Sequence, residues 1–494
     1  MTFAIRSTAK FGRLESDFVI EDGMGRGANS ARYKQAAGRG RRWSIRALAT
    51  VAALATALPM PARAQGLPVI RDAEIEQLLR DYTAPILRAA GLSKQNIRVI
   101  IINDRSFNAF VVDGQRIFVN VGALLESKTP NQIIGVLAHE TGHIAGGHLA
   151  RLRDELANAQ TAAIIAMLLG AGAMIAGAKG NNVGGNAAAA AITAPQEMIR
   201  RSLLSYQRAQ EESADRAGVK FLTATGQSPK GMYETFQRFA NQILVSAQRA
   251  DPYLQSHPMP SERVAALETL VKTSPNWEKH DPPELQLRHD MMRAKLAGFL
   301  ERPDTIARRY PASDTSLPAR YARAISAYRH TDLRAAISQI DGLIQTQPGN
   351  AYFHELKGQA LLENGKASEA VGPLRRASQL APNAPLIRIL LAQALIASSD
   401  KQAADEAIGL LLTSMQKEPD VPEGYGQLAI AYGKKGEFAQ ADLASAQAAL
   451  SRGDVKTARE LAARAKTRFP TGSPGWVRAD DITVMKLPKG PRRP

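Results

Sequence analysis

The apolar positions along this chain change period several times. Ile97–Asn103 (IRVIIIN) and Ile117–Val121 (IFVNV) are short β-branched runs around a turn-like Asp113-Gly114, which predicts two strands of a small sheet. At Thr129-Pro130 a cap residue precedes a proline suited to the first helical turn. The spacing from there predicts a helix through His139 to about Asn158. Residues 162–178 (AAIIAMLLGAGAMIAGA) form an uncharged stretch, followed by the low-complexity GNNVGGNAAAAA. Further helices are predicted over about Pro195 to Thr225 and around Tyr233 to Arg249, then a charged helical connector from about Pro282 to Pro311.

Beyond the connector the pattern repeats. Pro348, Pro382 and Pro419 close helical pairs 34 and 37 residues apart. Counted back from Pro382, Gly358, Leu361, Gly365, Ala370, Leu374 and Ala377 occupy alternating small and large packing positions. The same offsets find Ala324, Ala336, Ile340 and Leu343 before Pro348, and Ala407 and Leu411 before Pro419. A fourth unit opens near Tyr425 with Ala429, Tyr432, Gly436 and Ala441. Over about residues 316–470 this resembles tetratricopeptide repeats, whose stacked helix pairs offer a concave groove to a partner. An ordinary helical bundle is the alternative.

Composition narrows the chemistry. The 494 residues include no Cys, which excludes a disulfide scaffold, a thiolate metal site and a thiol nucleophile. A metal would have to be held by His and carboxylates. The net charge of +17 is weighted to the N-terminus, where residues 1–64 carry 11 Lys/Arg against 4 Asp/Glu. The rest is dispersed without a basic run, so no nucleic-acid partner is expected. Arg39, Arg41, Arg42 and Arg46 precede an apolar stretch from Ala47 to Met60, and Ala62-Arg63-Ala64 completes the order of a signal peptide cleaved after Ala64. Met24 is an alternative start. This order predicts export to the periplasm. The stretch 162–178 is short for a membrane span; it is expected to cover a cleft or touch the membrane surface.

One constellation carries chemistry. His139-Glu140-Thr141-Gly142-His143 is HExxH on a predicted helix, so both imidazoles share a face and Glu140 stands one step round, placed to act on a water. Gly142, Gly146 and Gly147 each cost a helix about 1 kcal/mol relative to Ala, which points to close backbone approach rather than a solvated His/Glu face. His148 falls one residue short of the third histidine in HExxHxxGxxH. A better third ligand lies in Gln210–Arg216, where Glu211 and Asp215 are one turn apart: one can ligate while the other bonds a ligand's free N–H. His148, His280, His289, His330 and His354 lack metal-like spacing and read as surface or packing residues.

This HExxH followed downstream by ExxxD resembles the M48 family of zinc metalloproteases. Asn108-Ala109-Phe110 and the following strand, and His257-Pro258 with Arg263, are similar to further elements of that family, and the resemblance covers about residues 70–270. It implies one zinc ion per chain held by His139, His143 and Glu211. Glu140 is then the catalytic base and acid, and Asp215 supports a ligand from behind. His257 is implied as an extra, inhibitory ligand; His257 or Arg263 is alternatively a stabiliser of the transition state. Strand 117–121 is expected to act as an edge for an extended substrate.

The expected fold class is mainly α: a zincin-like α+β metalloprotease domain with a small sheet, then an α-solenoid of tetratricopeptide repeats. The expected organisation is an N-terminal extension and signal peptide (1–64), protease domain (65–275), helical connector (276–315), repeats (316–470) and tail (471–494). The implied partners are unfolded or misassembled envelope proteins and, through the repeats, the outer-membrane assembly machinery. A chaperone or assembly scaffold with a latent metalloprotease site is the rival function.

Overall fold

The structure, a computed structural model, describes residues 68–155, 157, 185–245, 253, 257, 258, 261–398 and 403–485, excepting the side chains of 185–204 and 242–245. The expected signal peptide, Met24 and the stretch 162–178 lie outside the described residues.

Strands β1 (Val69–Ile70), β2 (Arg98–Ile102), β3 (Ala109–Asp113) and β4 (Arg116–Asn120) form one sheet in the order β1-β2-β4-β3. β2 and β4 run parallel, while β1 and β3 are antiparallel to their neighbours. Asp113-Gly114 closes a β3–β4 hairpin, with Phe110 stacked on Phe118 at 5.4 Å. The edge expected at 117–121 is therefore corrected: β4 is paired on both sides, and β3 is the outer strand.

Helix α1 (Ala73–Ala89) starts where Asp72 accepts a hydrogen bond from the Ile75 N–H at 2.9 Å, and buries Ile75, Leu78, Leu79, Tyr82 and Ile86 along one stripe. After the short α2 (Val121–Glu126) comes α3 (Pro130–Ala145), buried on nearly every side and hence the centre of the core. The helix predicted to run to Asn158 breaks early: Gly147 takes φ +63°, a left-handed conformation open to glycine, and helix resumes at 148–155. Then follow α4 (Gly185–Ala224), α5 (Lys230–Val245) and α6 (Ser261–Lys272).

Helix α7 (Pro283–Leu300) buries Met291, Met292, Leu296 and Phe299 and packs against α1 and α2 on one side and α9 (Leu317–His330) on the other, with α8 (Pro303–Arg309) beside it. From α9 the chain continues through α10 (Leu333–Thr346), α11 (Ala351–Glu363), α12 (Ala367–Leu380), α13 (Pro385–Ala397), α14 (Ala403–Lys417), α15 (Pro422–Lys434), α16 (Phe438–Ser451) and α17 (Val455–Arg468). Each packs on the next, and α13 also meets α11 and α15, the connectivity of a solenoid. The expected tail holds another helix, α18 (Pro474–Thr483), whose Ala479 and Ile482 are buried against α17. No helix among the described residues is long and apolar enough to cross a membrane.

Candidate active site

Two helices that meet at a glycine build this site. A Cβ on Gly142 of α3 would stand 2.7 Å from the Ala214 carbonyl oxygen of α4, so only glycine admits this crossing. Gly142 lies between His139 and His143, and Ala214 between Glu211 and Asp215. The close approach therefore brings the ligand-bearing turns together. Glu211 Oε2 is 3.4 Å from His139 Nε2 and its Oε1 3.4 Å from His143 Nε2, while the two Nε2 atoms are 3.1 Å apart.

The chain after α5 adds a fourth donor. His257 Nδ1 lies 3.3 Å from His139 Nε2 and 3.0 Å from Glu211 Oε2. Its Nε2 faces the Ala109 carbonyl at 3.3 Å; donation there leaves the Nδ1 lone pair directed at the other three groups. Tetrahedral coordination with bonds of about 2.0–2.1 Å requires donor separations of about 3.3–3.4 Å. The observed donor set and spacing fit a zinc-type ion.

Each donor is held from behind. Asp215 Oδ1 is 2.9 Å from His139 Nδ1, and Arg263 grips Asp215 through Nε at 2.7 Å and Nη2 at 2.8 Å. Arg263 Nη1 donates to the Pro258 carbonyl and lies 2.8 Å from Glu211 Oε2. Its guanidinium is thus committed to positioning both carboxylates and the His257-Pro258 turn.

Glu140 is the exception. Both its carboxylate oxygens are buried with no hydrogen-bond partner among the described residues, and the nearest basic group is His257 Nε2 at 3.4 Å. Burial pushes its carboxyl above the ordinary value, an effect that His257 and His139 only partly offset. A buried carboxylate without an internal partner, one residue from a ligand, suits a general base whose proton donor comes from outside. Burial disfavours ionised Glu211 and Asp215 too, but the histidines around Glu211 and Arg263 beside Asp215 hold both below the carboxylate norm. His139 is opposed by burial yet raised to about 9 by Asp215 and Glu211; burial and the charge of His139 push His143 well down.

The structure thus gathers His139, Glu140, His143, Glu211, Asp215, His257 and Arg263 in one place. Glu140, His143, Glu211 and His257 border a cleft of about 320 Å³ whose apolar wall includes Phe110, Val111, Ile144 and Leu149. Sequence reasoning missed His148. It is buried, and its Nδ1 lies 3.0 Å from His143 Nδ1. The near-miss to HExxHxxGxxH was the available signal: the Gly146-Gly147 break turns His148 toward a ligand instead of the shared point. The other four histidines are surface or packing residues. His289 bridges Tyr82 and the Ser127 carbonyl in the core, His280 and His330 are exposed, and His354 faces the Pro348 carbonyl.

Residues 70–271 match the family model described as Peptidase family M48. The chain is 25% identical over 426 residues to the beta-barrel assembly-enhancing protease of Escherichia coli O157:H7, covering 84% of this chain and 83% of that protein. The protein of the same name from Yersinia pestis is 22% identical over 420 residues, with the same coverage.

Proposed function

Residues 70–271 are an M48 peptidase domain in a chain homologous to beta-barrel assembly-enhancing protease, and on that premise we propose that this metalloprotease is a zinc-dependent endopeptidase of the periplasm. Its substrates are misfolded or stalled envelope proteins, with the helical repeats receiving clients or the outer-membrane assembly machinery. One observation carries this reading: ligand atoms of His139, His143, Glu211 and His257 converge beside a buried carboxylate that has no hydrogen-bond partner among the described residues.

In this mechanism His139 Nε2, His143 Nε2 and a Glu211 carboxylate oxygen hold the ion. Bound zinc supplies the Lewis acidity that polarises a carbonyl and acidifies a water. Glu140 accepts the proton of the attacking water on its carboxylate and returns a proton to the leaving amine. Asp215 fixes the His139 ring, and Arg263 fixes Asp215 and Glu211. The outer strand β3 borders the cleft with no strand paired on its far side among the described residues, which suits an extended, sequence-tolerant substrate.

The test is zinc analysis together with cleavage of an unfolded protein by the full chain and by Glu140→Gln. Retained zinc with cleavage reduced about 10²–10⁴-fold is expected; equal turnover by both would remove Glu140 from the chemistry.

A latent ground state is favoured by His257 Nδ1, which stands at ligand distance and would close the fourth position. His257→Ala should raise basal cleavage while zinc stays bound. Abolished cleavage with zinc retained would make His257 a transition-state stabiliser instead.

A further inference from the structure

The two imidazoles of the HExxH pair are supported in different ways. His139 has a carboxylate behind it, Asp215, itself held by Arg263. Behind His143 stands a second imidazole. His148 Nδ1 is 3.0 Å from His143 Nδ1, with the rings nearly perpendicular at 85° and their centres 5.0 Å apart. We propose that His148 is a positioning residue for the metal, accepting the Nδ1–H of His143 on its own unprotonated Nδ1. This rests on the reading of His139, His143 and Glu211 as ligands.

The protonation pattern follows from the geometry. His143 Nε2 faces the shared point, so in a neutral ligand the ring proton sits on Nδ1. The polar atom found there is another ring nitrogen, which can accept only if His148 carries its proton on Nε2. Such a partner fixes the rotation of His143 without adding charge, whereas Asp215 does the same for His139 with a full negative charge.

Local structure is built around this contact. Gly146 ends α3, and a Cβ there would stand 2.2 Å from His148 Nε2, so a side chain would displace the ring. Gly147, at φ +63°, turns the chain so that His148 folds back over the preceding helix. Gln210, next to the ligand Glu211, donates to the His148 carbonyl at 3.1 Å, tying this turn to α4.

The test compares two substitutions of similar size in the full chain. His148→Asn retains an acceptor near the Nδ1 position, whereas His148→Leu removes it. Zinc affinity is measured by competition with a chromophoric chelator. A loss of about 10–100-fold is expected for His148→Leu, the range for removing a ligand's outer partner, with most of it recovered in His148→Asn. Equal affinities for wild type and His148→Leu, or equal losses in both variants, would overturn the proposal. So would a rise in KM for His148→Leu at unchanged zinc affinity, which would make the residue a substrate contact. Imidazole ¹⁵N spectra of the zinc-loaded wild-type protein decide the point without mutation: a bare Nδ1 on His148 is expected, and a protonated one contradicts the assignment. Wild type that fails to bind zinc would instead sink the reading of the three ligands.

Discussion

The centre around His139 and the cluster around Lys295 are both buried and both rich in carboxylates, yet their polar atoms are arranged in opposite senses. Lys295 on α7 is 2.9 Å from Asp72, 3.1 Å from Glu74 and 3.9 Å from Glu355, and Tyr321 donates to Glu74 at 2.9 Å. These groups come from α1 and its N-cap, α7, α9 and α11, and the carboxylates turn toward a cation supplied by the chain itself. At the other centre, Arg263 stands behind the donors, and their lone pairs meet at a point where the described residues place no cationic side chain. Buried charge is costly unless paired. Pairing inside the chain makes the first cluster a joint between the protease part and the repeats; convergence without an internal cation makes the second a receptor for one.

The largest effect should come from breaking the joint. Lys295→Met leaves several buried carboxylates without their cation and should destabilise the full chain by about 3–5 kcal/mol in denaturant unfolding, with zinc affinity unchanged. A cost below about 1 kcal/mol would mean that the joint is not the tightly paired cluster described here.

The contrasting change is Glu211→Gln, which should weaken zinc affinity by more than the roughly 100-fold upper range for an outer partner while leaving the metal-free protein folded. Glu212→Gln, on the exposed side of α4, should leave affinity at the wild-type value. Zinc affinity that follows Glu212 instead would shift the ligand register by one residue.

Asp215→Asn is expected to be milder, lowering zinc affinity about 10–100-fold by loosening His139 and leaving Arg263 without its carboxylate. Equilibrium competition with a chelator measures both variants, and an Asp215→Asn loss as large as that of Glu211→Gln would make Asp215 a ligand.

The smallest effect is a pH slope at the joint. Burial opposes ionised Asp72, but the charge of Lys295, joined by the Ile75 N–H, holds it below its ordinary 3.8. A depressed carboxyl contributes stability that is present above pH 4 and lost as pH falls toward 2, by at most about 1.4 kcal/mol per pH unit. In Lys295→Met burial is unopposed by that cation, and the slope over this range should flatten or reverse. Unchanged slopes in unfolding of the zinc-free protein at pH 2–5 would show that Lys295 does not set the charge on Asp72.

Much of this site was legible in the chain. HExxH announces itself because two candidate ligands and a candidate base lie within about one helical turn, and Glu211 and Asp215 follow the same spacing on a second helix. Of the glycines at 142, 146 and 147, only Gly142 marks the close backbone approach expected; Gly146 faces the His148 ring and Gly147 makes a left-handed turn. The partner of each charged group was harder to read. Arg263 was open to an oxyanion role, and only the fold shows its nitrogens turned to Asp215, Glu211 and Pro258. Strand β3 escaped notice and took the outer position expected of its neighbour, because pairing order depends on contacts between runs, not on the composition of either.

α7 marks the same boundary. A run rich in charge reads as a helical connector; the fold buries its Lys295 and His289, which meet Asp72 and Ser127, each more than 150 positions away. By itself the sequence determined what lies within a turn or a repeat: the HExxH helix and the residues it carries on one face, the helix pairs and their small-residue positions. The tertiary structure alone decided which strand lies outermost, which helix joins the two parts, and that His148 faces a ligand. Local patterns depend on a few neighbouring dihedrals, whereas these outcomes depend on which distant groups remain to satisfy a buried polar atom once the chain has closed around it.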